Sequence, residues 1–208
     1  MKLYLSSFRF GNNPQQLASL VGENRKIGII PNALDQYADV ERRKVSLQRE
    51  ADGLNSIGLN PEVIDLREYF NKSAELKEKL NSLGAVWVLG GNTFVLRKSL
   101  HQSGMDEWLL AQRNNREFVY AGYSAGICVI TKDLKDVELI DSPNVVPEGY
   151  DPATIWEGLG LVDYSLVPHF ESPGHPETEA AGRQVTYLIE QGKDHKALRD
   201  GDVIISQT

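Results

Sequence analysis

Short aliphatic runs without polar alternation dominate the layout of this chain, at residues 3–5, 26–30, 62–66, 85–89, 118–121, 164–167, 197–198 and 203–205. A strand with one wet face alternates apolar and polar residues. A run that is apolar throughout is covered on both faces, which a parallel sheet sandwiched by helices provides. The intervening stretches 14–20, 40–57, 73–83, 94–100 and 177–189 space their apolar residues at the helical period. Gly58 and Gly84 follow two of them as C-cap candidates. The expected fold is therefore α/β with a mostly parallel sheet, and Asp200-Gly201 between the last two runs signals a hairpin and an antiparallel C-terminal edge.

Composition narrows the class. The 208 residues, 41% hydrophobic and 25% charged, suit one well-cored domain spanning 1–208. A net charge of −7 argues against nucleic-acid binding, which needs clustered Lys and Arg. The one dense basic run, Arg42-Arg43-Lys44, lies between Glu41 and Glu50 and reads as a solvated helix face. No long apolar segment follows the first strand, so neither membrane nor export is expected. The single cysteine, Cys128, fits a reducing cytoplasm and reads as a packed core thiol. Trp108 and Trp156 are open to two readings, a homodimer patch or core packing. The least regular stretch, 132–156, reads as a long surface excursion.

The run at 118–121 leads into Gly122-Tyr-Ser124-Ala-Gly126 and then a second apolar run. Strand, G-x-S-x-G and helix in that order make a nucleophile elbow, in which a sharp turn lifts the serine hydroxyl clear of the backbone. The amide of Ala125 then points toward a reacting carbonyl. The alternative is an ordinary helix start with Ser124 as N-cap. A catalytic serine needs a base. Of four histidines, His169 follows an aliphatic run and emerges at the carboxyl edge of the sheet, while His175, in Ser172-Pro-Gly-His-Pro176, suits substrate contact. Asp200 is the candidate to orient the imidazole, or else only the first residue of an Asp-Gly turn. Gly90-Gly91-Asn92 ends another strand, so the Gly91 amide is a second oxyanion donor or part of a plain tight turn. Glu171, Glu177 and Glu179 could hold a free α-amino group or form a solvated helix start, and Asn92, His175 and Glu171 are taken as substrate contacts. An esterase reading would order the triad as serine, acid, histidine and use Asp163. A third reading is a binding protein without turnover.

In chain order, Gly90-Gly91-Asn92-Thr93-Phe94, Gly122-Tyr-Ser124-Ala-Gly126 and Pro168-His169-Phe170 resemble the peptidase E, or aspartyl dipeptidase, family of serine peptidases. The likeness covers most of the chain. It implies a class I glutamine amidotransferase-like, flavodoxin-like three-layer fold, Ser124 as nucleophile, His169 as base, a short peptide as substrate, and no metal or cofactor. It also implies dipeptides with N-terminal aspartate. Three departures stand out: Asp200 replaces a glutamate, Glu179 stands where an arginine would read the aspartyl side chain, and the chain stops soon after Ile205.

Overall fold

The structure, a computed structural model, describes residues 1–37 and 39–207. Its strands are β1 (Lys2–Ser6), β2 (Lys26–Ile30), β3 (Asn60–Val63), β4 (Ala85–Val88), β5 (Val119–Tyr123), β6 (Ser165–Val167), β7 (His195–Ala197) and β8 (Val203–Gln207). Six of them form one sheet in the order β3-β2-β4-β5-β1-β8, parallel except where β8 lies on β1. The other two, β6 and β7, make a separate parallel ribbon.

Both faces of the sheet are covered, as the unbroken apolar runs require. Successive side chains point to opposite faces. Leu3, Leu5, Val86, Val88 and Tyr120 join one core with α3 (Ser73–Leu80), α4 (Thr93–Ser103) and α5 (Met105–Ala111). Tyr4, Ile27, Ile29, Trp87, Val119 and Ala121 join the other with α1 (Gln15–Val21) and α2 (Val40–Ser56). Two further helices, α6 (Ala125–Cys128) and α7 (Thr178–Glu190), flank the candidate site.

Several expectations are corrected. The antiparallel edge exists, but β8 makes it with β1, while the run before Asp200-Gly201 pairs with β6. Those two residues carry the chain between sheets. Gly58, at φ +80°, caps α2, whereas Gly84 caps nothing: α3 ends at Leu80, and a Cβ on Gly84 would stand 2.1 Å from the Asn24 carbonyl. Arg42 and Lys44 are exposed, as a solvated helix face requires, but Glu50 on the same helix turns inward. It is fully buried, accepting from Trp87 Nε1 at 3.1 Å with the guanidinium groups of Arg9 and Arg49 each 3.5 Å away. Trp108 is buried edge-on to Phe118, and Trp156, half-buried, packs against Phe94, so both take part in core packing. The excursion 132–156 is tied to α4 through Asp141, Ser142 and the carbonyls of Val145 and Pro152.

Overpacking against backbone costs roughly 1–3 kcal/mol, and an L-residue in the left-handed region about 1–2. Urea denaturation should therefore find Gly84→Ala more damaging than Gly58→Ala, where two equivalent helix caps would give equal losses.

Candidate active site

The carboxyl ends of β1, β4 and β5 lie side by side, because Ser6 pairs with Tyr123 and Val88 with Gly122. Open parallel sheets bind ligands at this edge. Ser7, the pair Gly90 and Gly91, and Ser124 leave the sheet there together.

Ser124 has φ 50° and ψ −120°, a strained conformation for an L-residue, between the end of β5 and the start of α6. Packing enforces the turn: a side chain at Gly126 would stand 2.3 Å from the Val88 carbonyl oxygen. The Ser124 amide donates to the Ser7 carbonyl at 3.2 Å, and its carbonyl accepts from Ile127 and Cys128. Gly90 lies against the serine, since a Cβ there would come within 2.9 Å of Ser124 Cβ. Gly91, at φ +142°, packs on the Ala33 carbonyl. Asn92, expected to touch substrate, is instead buried: its Oδ1 accepts from the Val95 amide at 2.9 Å to cap α4, and its Nδ2 donates to the Ser142 carbonyl at 3.0 Å. Its role is to fix the loop that carries Gly91.

His169 and Asp200 arrive on the β6–β7 ribbon, each just past its strand. His169 is 1% exposed, and its Nδ1 donates to Asp200 Oδ1 at 2.7 Å. A carboxylate can only accept, so Nδ1 carries the proton and Nε2 presents its lone pair. Burial, with His175 adding to it, lowers the His169 pKa to about 4, against the opposing pull of Asp200. The ring of His175 stacks on that of His169 at 3.6 Å and 7°. Glu177 Oε2 lies 3.8 Å from His169 Nε2. Burial, then Asp141 and Asp200, push the Glu177 carboxyl up to about 7. Asp141 itself is raised to about 6 by burial, although it accepts from the Thr93 amide and hydroxyl. Among the described residues no hydrogen bond joins Ser124 Oγ to His169.

Ser7 connects these parts, and the sequence reading missed it. It is fully buried. Its carbonyl takes the Ser124 amide, its Oγ accepts from the His169 amide at 2.9 Å, and the hydroxyl donates to Asp200 Oδ1 at 3.0 Å or the Leu198 carbonyl at 3.2 Å. The available signal was two polar residues, Ser6 and Ser7, ending an aliphatic strand at the binding edge of the sheet.

Other candidates fall elsewhere. Glu171 is exposed and paired with Arg199 at the surface rather than aimed at Ser124. Asp163, the acid of the esterase reading, is 86% exposed and bound to Lys132 at 2.8 Å, so a serine, acid, histidine order is not assembled. Cys128 is a buried core thiol whose pKa burial raises strongly. Glu179 is exposed in the first turn of α7.

The sequence profile of peptidase family S51 matches residues 7–207. An uncharacterized peptidase of Pasteurella multocida is 30% identical over 181 residues, 85% of this chain and 81% of its own length. Peptidase E of Shewanella denitrificans is 26% identical, covering 90% of this chain and 75% of its own. A crystal structure from Listeria monocytogenes, provisionally described as a peptidase E, superposes with a TM-score of 0.73 at 24% identity, over 100% of this chain and 98% of that one, a likeness of fold.

Asp200 holds the His169 pKa up and burial pulls it down. In an NMR titration of the imidazole, Asp200→Asn should therefore move it further below 4. Ser7→Ala, which leaves the buried His169 amide without its acceptor, should cost roughly 1–3 kcal/mol in denaturant unfolding.

Proposed function

The chain belongs to peptidase family S51, and on that premise we propose that it is a serine peptidase removing residues from the free amino end of short peptides. One observation carries the reading: Ser124 stands on a strained turn at the edge of the main sheet, and a buried histidine from the separate β6–β7 ribbon, not from that sheet as its position after an aliphatic run suggested, is joined to the same edge through Ser7 and bonded at Nδ1 to a carboxylate. The turn is a nucleophile elbow.

In this mechanism Ser124 Oγ rotates toward His169 Nε2, gives up its proton there and attacks the scissile carbonyl. Such bonds are often long or unmade before substrate arrives. The low His169 pKa keeps the ring neutral at pH 7, with its lone pair free. The Asp200 carboxylate holds the tautomer and stabilises the imidazolium as it forms. Backbone amides of Gly91 and Ala125 take the developing oxyanion, each worth about 3 kcal/mol. His169 then protonates the departing amine, and water, activated by the same ring, releases the acyl group. Residues 1–208 act as one catalytic domain, and no helix among the described residues is long and apolar enough to cross a membrane. A cytoplasmic setting agrees with the lone unpaired cysteine.

Glu177, beside Nε2 and without a basic partner among the groups that shift its pKa, suits the α-ammonium of the first residue. The charges that act on Glu177, those of Asp141 and Asp200, are also negative. An aspartyl side chain would meet repulsion there, so the preferred first residue is neutral or basic.

Incubating the protein and its Ser124→Ala variant with dipeptides and tripeptides tests this directly. Hydrolysis should fall by at least about a thousandfold in the variant, and Asp-X should be cleaved more slowly than neutral counterparts. A folded protein that cleaves none of them would sink the proposal. Protonated Glu177 cannot attract an ammonium, so KM should fall as pH rises through about 7, and Glu177→Gln should flatten that dependence.

A further inference from the structure

The 175–177 loop brings two nitrogen donors and one oxygen donor together around the His169 ring. His169, His175 and Glu177 each offer one ligand atom, and the three atoms lie within 4.8 Å of one another. We propose that these residues form a binding site for a divalent ion of the zinc class, and that an ion held there silences the peptidase by occupying Nε2 of His169. The site stands on its own geometry, whereas the silencing rests on the reading of His169 as the base.

Three features point to a metal rather than to a chance cluster. The first is the partner behind His169: Nδ1 is bonded to Asp200 at 2.7 Å, which fixes the tautomer and leaves the Nε2 lone pair for an ion. A carboxylate behind the ligating imidazole is the arrangement that raises ligand basicity in zinc sites. The second is spacing. Bonds of about 2.0–2.1 Å in a tetrahedron put ligand atoms roughly 3.4 Å apart, and Glu177 Oε2 already lies 3.8 Å from Nε2. The third is His175, which already brings a ring nitrogen within 4.8 Å of the other two donors, although its ring also packs edge-on to Phe8. Its ring now stacks flat on His169 and must turn edge-on, and its Nδ1 is restrained by one bond, from the Glu177 amide at 3.2 Å.

Two imidazoles and one carboxylate, with a fourth position open, suit zinc, nickel or copper; magnesium and calcium prefer all-oxygen sets. Coordination changes no oxidation state. The ion takes the lone pair that would otherwise receive the Ser124 proton, Glu177 binds as the carboxylate, and a chelator reverses both.

Calorimetric titration of zinc chloride into folded Ser124→Ala measures the site without turnover. One ion per chain is expected, with affinity lowered at least about tenfold by His175→Ala or Glu177→Gln, and no heat with magnesium chloride. Cobalt(II) added to the parent protein should show tetrahedral visible bands, which needs no variant to fold. Absence of stoichiometric binding, or affinity unchanged in the double variant, would overturn the site. With a cleaved peptide, zinc should inhibit and EDTA restore; hydrolysis that EDTA abolishes would overturn the silencing. Zinc bound through this pair in a protein that cleaves no peptide would defeat the peptidase reading and leave the site standing.

Discussion

One buried hydroxyl holds the functional half of this molecule together. Ser7 Oγ has one proton and two lone pairs, and it serves His169, Asp200 and the Leu198 carbonyl while its own carbonyl fixes Ser124. These partners come from segments far apart in sequence. The bond to the His169 amide matters most, because that residue sits at φ +63°, a conformation that persists only where its surroundings dictate it. A buried amide there without an acceptor would be costly. The strained turn at Ser124 and the strained turn at His169 are thus anchored on opposite sides of one residue.

The strands were legible because burial on both faces leaves an unbroken apolar signature. Their limits were less so. β3 begins at Asn60 and includes Pro61, which an edge strand tolerates, while apolar Leu66 opens a 3-10 turn capped by Asp65. Helix α5 was hidden behind Gly104, whose left-handed conformation breaks the period of α4. In the candidate site, the strained turn at Ser124 and the pairing of His169 with Asp200 were legible because a strand running into G-x-S-x-G and a histidine after an aliphatic run are sparse signals in this chain. Ser7 was not, since a serine after a strand has many uses. The burial of Glu50 was not legible for a related reason: helical spacing shows which face a residue occupies, but not that Trp87 meets it in the core with two arginines alongside.

Architecture and charge meet at Asp141. Its carboxylate ties the irregular 132–156 stretch to the first turn of α4, and the same negative charge acts on Glu177. Loop attachment and the electrostatic character of the cleft therefore cannot vary independently. A substitution at Asp141 would loosen the loop and change the charge beside Glu177 in one step.

His169 and Asp200 ride together on the β6–β7 ribbon, whereas Ser124 follows β5 of the main sheet. Displacing the ribbon as a unit would leave the bond between His169 and Asp200 intact while changing the gap to Ser124. Ribbon and sheet are thus two separately paired pieces, and Ser7, at the end of β1, is the rivet that sets how one is seated on the other.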